Sequence, residues 1–91
     1  MEMGRAIEDE VRALLRSRTL LAPGPALAEE VRLGAGGLGL DSISLVEVLL
    51  DCERRFGLPP LIDLLEGPPL TVGRLIEAVR AAVVEDGRVT R

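Results

Sequence analysis

The 91-residue sequence contains no histidine, lysine, tryptophan or tyrosine, and Phe56 is its only aromatic residue. Without histidine, the chain lacks the side chain that most readily titrates near neutral pH and the commonest metal ligand. The single cysteine, Cys52, cannot form an internal disulfide, so no oxidising compartment is implied. No apolar run approaches the roughly 20 residues of a transmembrane helix, and residues 2–16 do not resemble a secretory signal. We therefore expect a cytoplasmic protein that does not bind a membrane.

The chain has few basic residues relative to acidic ones, with 11 against 15 and a net charge of −4. All the basic residues are arginines, and they are scattered along the sequence. A net negative charge has the wrong sign for nonspecific binding to a phosphate backbone, and stacking aromatics are scarce. We therefore expect no nucleic-acid partner, whereas the charge is compatible with partner proteins.

Apolar residues at spacings of three and four predict three longer helices. The first runs from about Arg5 to Ser17 and is followed by a long connection over residues 19–40, which contains many glycines and prolines and one short helical turn at Ala26–Val31. Asp41 is a good N-cap residue, so the second helix places Ser42 in its first turn and runs to Phe56, where Gly57 stops it.

The rest of the chain predicts a short helical turn over Leu61–Leu65 and a last helix that Thr71 caps. One face of that last helix carries Val72, Leu75, Ile76, Val79 and Val83. The expected fold is an all-α bundle of three longer helices plus one short helix, with no β-strand. We expect a single domain over residues 1–91, with an ordered core at about 5–84 and frayed tails at 1–4 and 85–91.

The second helix carries two apolar stripes. The first is wide enough to be its core face and consists of Leu45, Val48, Leu49, Cys52 and Phe56. The second is displaced around the helix and consists of Ile43, Val46 and Leu50. Because a helix in a small bundle buries only part of its circumference, we expect the second stripe to be partly exposed, as a partner or ligand surface would be. The alternative is that the Leu61–Leu65 segment covers it.

The sequence offers little for catalysis, and we expect the protein not to be an enzyme. A nucleophilic serine or cysteine needs a neighbouring base, and neither histidine nor lysine is present. Cys52 lies on the apolar core stripe, where packing is the expected role. Residues 34–39 formally match a dinucleotide-binding glycine motif, but no strand precedes them, and we interpret them as a flexible lead-in to the second helix.

Ser42 is open to two interpretations from its position alone. It could be a structural serine in the first turn of a helix. Alternatively, its outward-pointing hydroxyl is accessible to another enzyme at a helix end where backbone amides and the helix dipole favour an attached phosphate.

The residues around this serine resemble a known motif. Leu38-Gly39-Leu40-Asp41-Ser42-Ile43, followed by Leu45-Val46-Glu47-Val48, is similar to the phosphopantetheine attachment motif of acyl carrier proteins. The resemblance extends over nearly the whole chain. It implies an acyl-carrier-like bundle that is the substrate of another enzyme. A phosphopantetheinyl transferase would move 4'-phosphopantetheine from coenzyme A onto Ser42.

 The attached phosphopantetheine arm would then hold acyl groups as thioesters. We expect the carrier to be a monomer.

The resemblance also implies a partner-binding surface on the outer side of the second helix and on the short helix. Partner enzymes would include acyltransferases, ketosynthases and acyl- or aminoacyl-loading enzymes. Carried over position by position, the surface comprises Asp41, Ile43, Val46, Glu47, Leu50, Asp51, Arg54 and Ile62. It contains the whole second stripe, which the spacing had indicated independently.

Several departures from the family pattern indicate which type of carrier to expect. Fatty-acid carriers usually have a strongly acidic second and third helix, whereas Arg54 and Arg55 interrupt the acidity here and Leu61–Leu65 is mostly apolar. The Asp before Ser42 is more typical of acyl than of peptidyl carriers. We therefore expect a free-standing bacterial carrier of polyketide, antibiotic or related biosynthesis. The alternatives are an aminoacyl or peptidyl carrier of a nonribosomal pathway and an unmodified helical interaction module.

Overall fold

The computed structural model describes residues 2–19 and 27–89, and the regular structure in these two segments is helical. In chain order the elements are α1 (Glu2–Ser17), α2 (Ser42–Phe56), a 3-10 helix (Ile62–Glu66) and α3 (Val72–Val89). The helix α1 contacts both α2 and α3, and α2 contacts α3. The prediction of an all-α bundle with three longer helices and one short helix is confirmed.

The helix bounds agree with the predicted ones most closely at α2, which begins and ends at the predicted residues. The helix α1 begins at Glu2 rather than at about Arg5, and α3 continues to Val89, beyond the expected end of the ordered core. The predicted helical turn at 26–31 is only a single turn over its described residues, where the Val31 amide donates to the Ala28 carbonyl at 3.1 Å. Residues 1, 20–26, 90 and 91, which include part of the predicted connection and of the predicted tails, lie outside the described residues, and the fraying of the tails stays a prediction.

The core is aliphatic and is shared by all three α-helices and the connections between them. Burying one such side chain contributes roughly 1.5–3 kcal/mol to the hydrophobic driving force for folding. Within the described segments, no buried side chain is polar or charged. None of the described helices is long and apolar enough to cross a membrane. The buried side chains are Ile7, Val11, Leu14, Leu15, Leu33, Val48, Leu49, Cys52, Leu61, Leu70, Val72, Leu75, Ile76 and Val79.

The connection before α2 is fastened to the start of α3 by backbone hydrogen bonds. The Leu33 amide donates to the Leu70 carbonyl at 2.9 Å, and the Val72 amide donates to the Val31 carbonyl at 2.9 Å. An isolated antiparallel bridge joins Arg32 to Thr71 between these two bonds. This small piece of β-type pairing was not predicted, because two residues do not produce a period-two pattern.

Residues 32–40 then fold back on themselves before α2 begins. The Leu38 amide donates to the Arg32 carbonyl at 2.8 Å, and the Leu40 amide donates to the Leu33 carbonyl at 3.0 Å. Gly37 packs so closely on the Arg32 backbone that a Cβ atom there would overlap the Arg32 carbonyl oxygen. The segment expected to be a flexible lead-in therefore has a defined backbone path.

Candidate modification site and docking face

The start of α2 is fixed by Asp41, as predicted. Its backbone is extended, and its Oδ1 accepts a hydrogen bond from the Ser44 amide at 2.8 Å. The Leu45 amide donates to the Asp41 carbonyl at 2.9 Å, which begins the helical hydrogen-bond ladder. Since this carboxylate satisfies an amide that the helix itself leaves unpaired, Ser42 becomes the first residue of the helix.

The same contacts stabilise the ionised form of Asp41. The hydrogen bond from the Ser44 amide is the largest influence that lowers the pKa of Asp41, and the Ser44 side chain and the Ile43 amide act in the same direction. A charged carboxylate at this position also interacts favourably with the positive end of the helix dipole. Asp41 therefore acts first as a helix cap.

Ser42, the first residue of α2, is exposed at the surface. Its hydroxyl takes part in none of the hydrogen bonds found among the described residues. Gly39 has a positive φ of 78°, which L residues rarely adopt, and it turns the chain into Leu40 and Asp41. Ser42 is consequently an exposed residue whose hydroxyl holds no other part of the chain that the structure describes.

We call the eight predicted partner-binding residues the docking face, which consists of Asp41, Ile43, Val46, Glu47, Leu50, Asp51, Arg54 and Ile62. Three of its apolar side chains are substantially exposed: Ile43 at 71%, Leu50 at 41% and Ile62 at 46%. Val46 is half-buried. The prediction that the second stripe is partly exposed is confirmed, and the Leu61–Leu65 segment leaves Ile43 and Leu50 uncovered.

The opposite side of α2 forms part of the core. Val48, Leu49 and Cys52 are buried, and Leu45 and Phe56 are half-buried against the core. The core stripe predicted from the spacing is therefore confirmed. The two stripes of α2 face different surroundings.

The 3-10 helix is tied to the end of α2. The Leu61 amide donates to Glu53 Oε2 at 2.8 Å, and the Leu61 side chain is buried in the core. Because the next residue is Ile62, this bond holds the last apolar residue of the docking face beside the C-terminal part of α2. The Glu53 contact was not predicted, since eight residues separate the partners.

Arg18, immediately after α1, is a functional candidate that the sequence did not reveal. Its Nη1 donates to Glu47 Oε1 at 2.8 Å, and its Nε and Nη2 donate to Asp51 Oδ2 at 2.9 and 2.6 Å. These contacts span 29 and 33 residues of sequence, so no local pattern marks them. The hydrogen bond to Asp51 raises the pKa of Arg18 above its ordinary value, with the charges of Asp51 and Glu47 adding to the effect.

Asp51 receives a second cation from its own helix. Arg54 Nη2 donates to Asp51 Oδ1 at 2.9 Å. Partial desolvation alone would raise the pKa of Asp51, but the hydrogen bonds from Arg18 and Arg54 outweigh it and lower the pKa below its ordinary value. Asp51 therefore stays ionised between the two guanidinium groups.

Cys52 is buried on the core side of α2, so its packing role is confirmed. Desolvation, followed by the charges of Asp51 and Glu53, raises the pKa of the Cys52 thiol to about 12. A thiol of this kind is almost wholly protonated at neutral pH and is a poor nucleophile.

The site thus combines an accessible, unengaged hydroxyl at a helix start with an exposed apolar face along the same helix. Searches of family models, curated proteins and solved structures found no match for this chain.

Proposed function

We propose that this protein is an acyl carrier protein that receives a 4'-phosphopantetheine arm on Ser42 and presents acyl intermediates to partner enzymes. The observation that supports it most directly is the exposed, unengaged Ser42 hydroxyl at the start of α2, beside the docking face. The resemblance of the residues around Ser42 to a phosphopantetheine attachment motif indicates which group the serine would receive.

The residues around Ser42 fit such an arm. Among the described residues, no hydrogen bond of the Ser42 hydroxyl has to be broken, and the positive end of the helix dipole at the start of α2 favours an attached phosphate. In the modification, Ser42 Oγ bonds to the phosphorus of the pantetheinyl phosphate of coenzyme A. The bond from that phosphorus to the bridging oxygen breaks, 3',5'-ADP leaves, and the hydroxyl proton passes to a base of the phosphopantetheinyl transferase.

The bound arm supplies a terminal thiol that holds an acyl group as a thioester. The remaining tasks belong to this chain's own residues. Asp41 caps α2 and holds Ser42 at its first turn, while Ile43, Leu50 and Ile62 offer an apolar surface to the enzymes that load and use the acyl group.

Within the carrier class, we propose a free-standing, monomeric, cytoplasmic carrier of polyketide or related natural-product biosynthesis. The Asp before Ser42 and the arginines at 54 and 55 favour this over a fatty-acid or peptidyl carrier. Incubating the modified protein with an acyltransferase or with an adenylating enzyme distinguishes acyl from aminoacyl cargo. We expect an acyl thioester to form, detected by intact-protein mass spectrometry.

The test of the function is modification of Ser42. With coenzyme A and a promiscuous phosphopantetheinyl transferase, we expect the wild-type protein to gain the mass of one phosphopantetheinyl group. Ser42→Ala should gain none, whereas the matched variant Ser44→Ala, two residues further along α2, should be modified like the wild type.

The opposite result has a clear meaning. If the wild-type protein gains no mass, or if the gain survives Ser42→Ala, the carrier function is wrong. The exposed docking face would then favour the second candidate, an unmodified helical module that binds proteins through α2.

A further inference from the structure

Each of the three carboxylates on the docking face is already engaged within the molecule. Asp41 accepts from the Ser44 amide at 2.8 Å. Glu47 lies 2.8 Å from Arg18, and Asp51 lies 2.6 Å from Arg18 and 2.9 Å from Arg54. The acidic residues that could attract a basic partner are thus held by a helix cap and by two arginines.

The exposure of these side chains points the same way. Asp51 is only 21% exposed and Glu47 is 48% exposed, whereas the Arg54 side chain is 72% exposed. Two carboxylates and two guanidinium groups cancel in formal charge. What the docking face offers outward is therefore mainly its apolar part, Ile43, Leu50 and Ile62, with the ionised Asp41 at the start of α2 and the Arg54 cation at the edge.

We propose, on the basis of the carrier function above, that the docking face binds partner proteins whose contact surface is apolar at its centre and lacks a cluster of basic residues. Arg18 is the positioning residue that makes this possible, because it approaches from outside α2 and, together with Arg54, balances the charges of Glu47 and Asp51. A basic partner would compete with Arg18 and Arg54 for these carboxylates, so each new ion pair would replace one that already exists.

The variant that separates the two kinds of partner is Arg18→Gln. It leaves Glu47 without its cation and Asp51 with only Arg54. Against an apolar partner, the newly uncompensated charge must be desolvated, which weakens binding. Against a basic partner, the same charge attracts and strengthens binding at low salt.

Arg55→Gln is the matched control. Arg55 also joins α2 to α1, through a 2.7 Å ion pair with Glu10, and its loss changes the net charge by the same amount. Neither Arg55 nor Glu10 belongs to the docking face. Any effect of Arg18→Gln beyond that of Arg55→Gln therefore reports on Glu47 and Asp51.

The first measurement uses the phosphopantetheinyl transferase as the partner, at saturating coenzyme A, with the carrier KM determined from low salt to about 0.5 M salt. We expect the wild-type KM to change by less than about twofold over this range, and the KM of Arg18→Gln to rise several-fold relative to Arg55→Gln. A lower or unchanged KM for Arg18→Gln at low salt overturns the proposal. Thermal unfolding of each variant checks that it is folded.

A second variant serves if Arg18→Gln fails to fold. Glu47→Gln removes a carboxylate without touching Arg18 itself, and Arg18 keeps Asp51 as a partner. We expect its KM to stay within about twofold of the wild-type value, because the cation left by this change, Arg18, lies outside the docking face and keeps its ion pair with Asp51. A several-fold rise in KM would mean that the partner reads Glu47, and it would overturn the proposal.

A second measurement separates this proposal from the carrier function. If the wild-type protein is not modified at all, the carrier function is wrong, and a lysine-rich peptide becomes the probe of the face. In a titration followed by NMR, the proposal expects shifts of the Glu47 and Asp51 amides in Arg18→Gln but not in the wild type. Equal shifts in the wild type would show that the carboxylates are available to basic partners, and the proposal would be wrong.

Discussion

The two sides of α2 carry similar residues but lie in opposite surroundings. Val48, Leu49 and Cys52 face the core at 0 to 1% exposure, whereas Ile43 and Leu50 face outward at 71% and 41%. The hydrophobic driving force alone would bury both sides. The difference arises because α1, α3 and the chain before α2 pack on one side only, which leaves the outer side available to another protein.

The two sides of α2 also differ in the charged side chains that they carry. The core side holds no charged side chain among the described residues. The outer side holds three carboxylates, and each has a donor from the chain itself. A partner can cover an apolar surface whose rim carboxylates are already paired at a lower desolvation cost than one whose rim carboxylates have no donor.

The largest expected effect contrasts a buried with an exposed residue of α2. Leu49→Ala should lower the free energy of unfolding by about 3 kcal/mol, because it leaves a cavity in the core. Ile43→Ala, the matched change on the outer side, should lower it by less than about 0.5 kcal/mol. Urea denaturation measures both, and similar losses would mean that the two sides are not distinct.

The next effect concerns function rather than stability. Leu50→Asp should slow the modification of Ser42 by about tenfold, because it places a charge in the apolar contact. Val84→Asp makes the same change at an outward position of α3 that is 53% exposed, and it should slow modification by less than about twofold. Steady-state kinetics with the transferase provides the comparison. If both variants are equally slow, the docking face has no special role.

The smallest effect concerns the pH dependence of stability that arises from Asp41, the N-cap of α2. Because its pKa is lowered in the folded protein, its stabilising contribution is complete above the ordinary aspartate pKa of about 3.9. It is lost as the pH falls through the lower folded-state pKa. Asp41→Asn keeps a capping oxygen but cannot titrate.

We therefore expect Asp41→Asn to have nearly the wild-type melting temperature at neutral pH. On acidification, its melting temperature should fall by less than that of the wild type, and thermal scans from about pH 6 to pH 2 measure the difference. An identical pH dependence of the two proteins would show that the Asp41 carboxylate does not stabilise α2.

The sequence predicted what depends on neighbours along the chain. The bounds of α2 follow from Asp41 and Gly57, and its two faces follow from the spacing of apolar residues. Thr71 was expected to cap the last helix, and its Oγ1 accepts from the Arg74 amide at 3.2 Å. These features are local, so a few adjacent residues are enough to specify them.

What the sequence did not predict depends on residues far apart in the chain. The role of Arg18 was not predicted, because nothing in its neighbourhood indicates Glu47 or Asp51. The path of residues 29–33 was missed for the same reason, since its long-range backbone bonds go to the residues around the start of α3. The early start of α1 at Glu2 shows that helix ends are less clearly marked when no capping residue stands there.

The bridge between Arg32 and Thr71 has a consequence for the order in which the molecule is assembled. Thr71 follows Ser42 by 29 residues, so the segment that leads into Ser42 gains its long-range hydrogen-bond partners only after residues 70–73 are made. Such contacts between distant residues close late, because the entropy of loop closure opposes them until other packing is in place. The arrangement that presents Ser42 is thus a property of the finished protein, and a chain still emerging from the ribosome would offer it only in part.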